Sequence, residues 1–265
     1  MSSISQSSLI SIIIPIYNQA EEIRTVLASI LNQTYKNYEV IIVNDGSTDN
    51  TAIVLENLKN KFSHPRPELP GTMTRPGERN IRFKIIQQNN QGANAARNRG
   101  AQEARGEFII FWDADAVGEP EMLEKMFSAL QNNPSASYAY SSFIFGKKKF
   151  KLWPFNAEKL KQMPYIHSTS LIRREQMAFW DTEIKRLQDW DLWLAMLSRG
   201  RIGVWVPEFL FTVQTKHGTM SHWLPQFAYK FMPWLKEVKK YKEAVEIIKK
   251  KHQISNSKSQ KNSKS

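Results

Sequence analysis

Two aspartates stand two positions apart in Asp113-Ala114-Asp115, and two more in Asp189-Trp190-Asp191. The carboxylates of Asp113 and Asp115 so placed repel, and a hard divalent cation such as Mg²⁺ or Mn²⁺ relieves the repulsion and can bridge to diphosphate oxygens. On an extended segment Asp113 and Asp115 project to the same side, with the small Ala114 leaving room for a ligand. The alternative is a solvated turn, since aspartate is common in turns. In Gln188-Asp189-Trp190-Asp191-Leu192-Trp193 the acidic pair opens an apolar helix, a place that the helix dipole alone favours. One carboxylate at a desolvated site there could instead serve as a general base, beside Trp190 and Trp193 as a floor for the apolar face of a sugar. Asp181, just upstream, reads as a cap.

Asn44-Asp45-Gly46-Ser47-Thr48-Asp49 also has two readings. Asp-Gly supplies a tight turn and Ser47 or Thr48 caps the next helix. Alternatively, Asp45 accepts a hydrogen bond from a base N–H and selects a nucleotide. Arg97, in Gly92-Ala-Asn-Ala-Ala-Arg97-Asn98-Arg99-Gly100, is either a surface arginine or a bidentate partner for phosphate. The histidines at 64, 167, 217, 222 and 252 include no pair at the four-residue spacing of a helical zinc site, and most read as incidental. His217, on a flexible segment after the last expected strand, could close over a bound metal as an imidazole ligand.

Strands and helices must bring these groups together. The β-branched and aromatic runs at 9–14, 39–43, 81–86 and 108–112 read as buried strands, each ending at a polar turn. Apolar residues at 23, 26, 27, 30 and 31 mark a helix after the first run, with Asn18 and Glu21 as its N-terminal cap pair. Further helices are expected at 52–59, 93–104 and 119–130. This alternation is the pattern of stacked βα units and a mostly parallel sheet, whose ligands bind at the carboxyl ends of strands. The candidate residues follow those ends: Pro15-Ile16-Tyr17-Asn18, then Asp45, then residues 89–92, then Asp113 and Asp115. Pro65, Pro67, Pro70, Gly71, Pro76 and Gly77 make 60–80 a long loop, read as an insertion rather than a lid. Beyond Pro134, strands are expected at 137–145, 168–172, 202–206 and 209–213, the last two parted by a turn at Pro207. A basic loop at 147–151 and a helix at 189–197 complete an α/β class with a mixed sheet.

The 265 residues, 41% of them hydrophobic, suffice for a folded core, and the absence of cysteine removes disulfides, thiolate zinc sites and cysteine nucleophiles. The net charge of +12 is unevenly spread: ten lysines against three glutamates at 236–265 carry more than half of it. The predicted ligand edge is acidic, so a basic nucleic-acid-binding protein is disfavoured and no specific nucleic-acid partner is expected. No run reaches eighteen apolar residues and no basic leader precedes the first apolar run, so a cytoplasmic protein is expected, soluble or peripheral at the inner face of the membrane. Phe227, Phe231, Trp234, Leu235, Val238, Tyr241, Val245 and Ile248 form one stripe of a C-terminal amphipathic helix. Docking on the catalytic domain is favoured for it over docking on an anionic membrane surface. The expected organisation is a catalytic domain at 1–221, a helical extension at 222–250 and a disordered basic tail at 251–265.

In order, Ile13-Ile14-Pro15-Ile16-Tyr17-Asn18, Gln33-Thr34-Tyr35, Asn44 to Asp49, Gly92 to Asn98, Asp113-Ala-Asp115 and Gln188 to Trp193 resemble the family 2 glycosyltransferases, inverting enzymes of the GT-A fold. The likeness runs from about Leu9 to Ser221. It implies a Rossmann-like nucleotide-sugar-binding domain in which Pro15, Tyr17, Asp45 and Arg97 hold the nucleotide, often uridine diphosphate. Asp113 then looks like the carboxylate on the ribose and metal side, Asp115 like the direct metal ligand, and Asp189 like the catalytic base. A late histidine joins the metal or diphosphate in similar enzymes, which strengthens His217. The implied cofactor is Mn²⁺ or Mg²⁺, and the implied partners are a nucleotide-sugar donor and a glycan or lipid-linked acceptor. Gln188 departs from the glutamate usual in the family before the base. A Gln-x-x-Arg-Trp segment and membrane spans, usual in processive synthases, are missing, so a single-addition transferase is expected. A catalytically inactive nucleotide-sugar-binding protein is the competing reading.

Overall fold

The computed structural model describes residues 8–63, 82–215, 232 and 234–254. Strands β1 (Ile10–Ile16), β2 (Tyr38–Asp45), β3 (Phe83–Gln88) and β4 (Phe108–Phe111) pair in parallel in the order β3-β2-β1-β4. Every residue of β1, β2 and β4 is buried, so their sequences are nearly continuous apolar runs rather than alternating ones. The sheet continues through β5 (Ala116–Gly118), β6 (Ala136–Phe145), β7 (Lys148–Phe150), β8 (Leu171–Arg173) and β9 (Ile202–Val213). Its full order is β3-β2-β1-β4-β8-β6-β9-β5, with β7 pairing to β6. β8 runs antiparallel to both β4 and β6, whereas β9 lies parallel to β6. The result is a mixed sheet, parallel throughout the half that bears the first candidate residues.

Helices α1 (Glu22–Leu31), α2 (Thr51–Ser63), α3 (Ala93–Glu103), α4 (Met122–Asn132), α5 (Ala157–Gln162), α6 (Gln188–Leu197) and α7 (Lys236–Lys251) cover the sheet and its ends. α3 packs on β1 and β2, and α4 on β6 and β9. Gln33, fully buried, ties α1 to α4: its amide donates to Glu119 O (2.7 Å) and accepts from Leu123 N (3.0 Å). Along α7, Val238, Ala244 and Ile248 are buried, and Ile248 belongs to the same apolar core as β1 and β2.

Several local expectations change. Pro15 lies inside β1 rather than after it. β4 stops opposite Ile13, so from there that edge of β1 has no pairing strand and a residue without an N–H is tolerated. Asn18 and Glu21 do not cap α1: Glu21 makes no side-chain cap bond. Asn18 instead adopts a left-handed backbone (φ 51°) and accepts from Thr48 N at 2.8 Å, stapling the β1 loop to the β2 loop. α2 runs through Ser63, further than the expected helix, and residues 64–81 lie outside the described residues. The basic loop at 147–151 is in part strand β7, folded onto β6 through a turn at Gly146. β9 passes through Pro207 without ending, and the disturbance appears as a register shift opposite Ser141 and Ser142. Disorder from Lys251 onward does not hold for Lys251 to Ile254, which are ordered against the body, whereas 255–265 lie outside the described residues.

One close approach fixes how α3 returns to the sheet. A Cβ at Gly106 would lie 2.5 Å from Leu9 O, 2.7 Å from Ser11 N and 2.8 Å from Phe108 O, all backbone atoms that cannot swing away. Gly106→Ala is therefore expected to destabilise the chain by about 1–3 kcal/mol through overpacking. Urea unfolding would show it, and a wild-type midpoint would contradict this account.

Candidate active site

The turn after β4 carries the first acidic pair, and it is held at several points. Trp112 N donates to Ile13 O (2.8 Å), Ala116 N to Asp113 O (2.9 Å) and Gln214 N to Asp115 O (2.8 Å). Beneath it the fully buried Trp112 ring donates from Nε1 to Ala116 O (2.7 Å). Asp113 and Asp115 thus lie in a turn, not on the extended segment expected for them.

Arg97 projects from α3 to Asp113, with Nη2 2.8 Å from Oδ1. Its other terminal nitrogen, Nη1, donates to Asn94 Oδ1 (3.1 Å) and Gln188 Oε1 (3.2 Å), and the guanidinium lies 4.5 Å from the centre of the Trp180 ring. The remaining oxygen of Asp113 accepts from Ser168 Oγ (2.7 Å). Burial works against the charge on Asp113, but Arg97, His167 and Ser168 outweigh it and lower the pKa below the ordinary carboxylate value. Asp115 goes the other way. Burial and the neighbouring Asp113 charge push it up to about 7. Asp189, at the start of α6, accepts from Trp190 N (2.9 Å), and burial raises its pKa against the opposing pull of His167.

These groups share one cavity of about 980 Å³. Pro15, Tyr17, Asp45, Arg97, Asp113, Asp115 and Asp189 all line it. Asp45 is buried and already accepts from Gln88 Nε2 (2.7 Å), Gln91 N (2.8 Å) and Gly92 N (2.8 Å), so it also fixes the loop between β3 and α3. Tyr17, 46% exposed, stands at the mouth. His217 lies outside the described residues.

Trp190 and Trp193 do not form the cavity floor. Both are in the core, donating to Leu160 O (2.6 Å) and Ile166 O (2.9 Å), because helical geometry turns them away from Asp189. Trp180 and Phe143, Phe145 and Phe150 supply the aromatic wall instead. Asp181 does not cap α6; its side chain accepts from Glu183 N (2.8 Å) and from Lys251 Nζ (2.7 Å).

His167 and Ser168 are functional candidates that the sequence reading passed over. His167 lines the cavity between Phe143 and Phe211, and Thr169 N donates to its Nδ1 at 3.1 Å, which leaves the proton of the neutral ring on Nε2. Burial lowers its pKa, while Asp113 and Asp189 pull it upward. The signal was strand direction: β8 is antiparallel to β4, so the residues before β8 reach the edge that β4 reaches with those after it.

The model of the family described as Glycosyl transferase family 2 matches residues 11–185, a span that includes all of β1 but its first residue, the β4 turn and His167. The chain belongs to that family. It is 31% identical over 150 residues to the cholesterol galactosyltransferase of Borreliella burgdorferi, covering 55% of this chain and 37% of that protein. The chain spans about a third of the length of such curated relatives. Among solved structures, residues 1–349 of Staphylococcus aureus TarS in complex with UDP-GlcNAc resemble it with a TM-score of 0.64 at 18% identity, covering 94% of this chain and 74% of that one. The Pyrobaculum calidifontis mannosyltransferase in complex with GDP-Man and Mn²⁺ gives 0.60 at 17%, covering 81% and 59%. The fold of this family 2 glycosyltransferase is thus the GT-A type.

The raised pKa of Asp115 has a sign that can be checked. A carboxyl whose folded pKa lies above its unfolded value costs the native state stability as pH rises from about 4 to about 7, where the folded group finally ionises. Asp115→Asn should therefore raise the melting temperature of the metal-free protein by a few degrees at pH 8, and by less at pH 5. A shift that did not depend on pH would show that the ionisation of Asp115 carries no such cost.

Proposed function

We propose that this family 2 glycosyltransferase moves a sugar, with inversion, from a nucleoside-diphosphate donor of the UDP type to an acceptor hydroxyl in glycan or glycolipid synthesis, with the help of Mn²⁺ or Mg²⁺. The observation that carries the reading is the convergence of Asp113, Asp115 and Asp189 on one cavity, with their proton affinities driven apart. The solved neighbours bound to UDP-GlcNAc and to GDP-Man with Mn²⁺ support a nucleotide sugar as donor.

The residues present fit a hard cation in their chemistry. Asp113 and Asp115 offer carboxylate oxygens, and a cation would offset the burial and the repulsion from Asp113 that together raise the pKa of Asp115. Among the described residues no group of three or more acidic or imidazole side chains forms a metal cage, so donor oxygens or residues such as His217 would complete the shell. When bound there, the ion would stabilise the charge developing on the leaving diphosphate. Asp45, Pro15 and Tyr17 would hold the nucleotide, and Arg97 would keep Asp113 ionised and oriented. Asp189 takes the proton from the acceptor hydroxyl as the oxygen attacks the anomeric carbon from the face opposite the leaving diphosphate. Its raised pKa moves the acid limb of the rate profile above the ordinary carboxylate range. Among the described residues no helix is long and apolar enough to cross a membrane.

Asp189→Asn is expected to keep binding of UDP with Mn²⁺, measured by calorimetry, while transfer from a panel of UDP-sugars and GDP-mannose falls about a hundredfold or more. Asp115→Ala should do the reverse in binding, removing the Mn²⁺ dependence of UDP affinity. Wild-type turnover in the asparagine variant would remove Asp189 from its role. A catalytically inactive binding protein would bind the donors and turn none of them over.

A further inference from the structure

The base-bearing segment is held by the far end of the chain. Asp191, two residues after Asp189, is 3% exposed, and its carboxylate faces Lys251 and His252 from the C-terminal end of α7. Lys251 Nζ lies 2.7 Å from Asp191 Oδ1, and His252 Nε2 lies 2.7 Å from the same oxygen. Lys251 also reaches Asp181 Oδ2 at 2.7 Å. Asp181 follows Trp180, on which Arg97 lies, and its carbonyl accepts from Asn94, the residue that orients Arg97. One ammonium therefore joins the two sides of the loop that carries Lys185, Arg186, Leu187 and Gln188 along the cavity. At the other end of α7, Glu237 pairs with Arg186 at 2.6 Å, so the helix straddles that loop.

The loop needs such restraint. Leu187, the residue before α6, has φ 54° and ψ 37°, a left-handed conformation that a residue with a Cβ adopts only when its surroundings impose it. That turn sets the direction in which Gln188 and Asp189 leave the loop. We propose that Lys251 and His252 are positioning residues for the transfer reaction: through Asp191 and Asp181 they keep the strained Leu187 turn, and with it Asp189, in its working orientation. The inference rests on Asp189 being the base, but the mechanical part of it can be read without any reaction.

The experiment uses the full chain with Lys251→Met, His252→Gln and the conservative Lys251→Arg. Hydrogen exchange of the backbone at 181–191 reports the restraint, UDP affinity with Mn²⁺ reports the donor side, and turnover on the panel above reports the chemistry. The expected result for Lys251→Met is faster exchange confined to 181–191, UDP affinity within about twofold of wild type and turnover lowered about tenfold or more, with Lys251→Arg restoring most of both exchange protection and turnover. Should Lys251→Met not fold, His252→Gln carries the same comparison. Unchanged exchange at 181–191 overturns the proposal, and so does faster exchange with wild-type turnover. Loss of UDP affinity in parallel with turnover also overturns it, since that marks general destabilisation. If instead Asp189→Asn is fully active while Lys251→Met loosens 181–191, the assignment of the base has failed and the restraint has not.

Discussion

The Arg97–Asp113 ion pair is the contact on which the rest of the cavity depends. It joins a helix after β3 to a turn after β4, and Arg97 extends the connection to Gln188, one residue before the proposed base. Both partners are largely removed from water, so neither charge is tolerable without the other. Trp180 under the guanidinium and Ser168 on the far oxygen of Asp113 fix the geometry from two further segments, and Asn94, one turn before Arg97 on the same helix, holds its second nitrogen. A single buried charge pair thus makes five stretches of chain agree on one position.

That pair also separates the roles of the three acids. Asp113 is kept ionised by Arg97, and its charge then disfavours ionisation of Asp115 beside it. Asp189 owes its raised pKa mainly to burial. Burial raises the proton affinity of both Asp115 and Asp189, the charge of Asp113 adds most to it at Asp115 beside it, and at Asp113 itself Arg97, His167 and Ser168 reverse the effect of burial.

The parallel half of the sheet was legible because strands buried on both faces are written as continuous apolar runs, and the rule that ligands sit at strand ends led to Pro15, Tyr17, Asp45, Asp113 and Asp115. The same rule concealed His167 and Ser168, since the reversal of β8 depends on pairing between strands about sixty residues apart that no local pattern encodes. Trp190 and Trp193 misled for a related reason. Neighbours in sequence on a helix point in different directions, and the two indoles turn inward where Asp189 turns towards the cavity. The ion pairs of Lys251 were hidden as well, because a lysine in a run of lysines carries no mark of the buried aspartate it meets.

Gln188 gains a physical meaning from this arrangement. Its amide oxygen accepts a hydrogen bond from Arg97 without bringing a charge. A carboxylate at the same place would compete with Asp113 for the guanidinium and would add a like charge one residue from Asp189. With glutamine there, the positive charge of Arg97 is committed to Asp113, and the proton affinity of Asp189 is set by burial and His167 rather than by an adjacent acid. The neutral side chain keeps the hydrogen-bonded link between α3 and α6 while leaving the electrostatics of Asp189 to its surroundings.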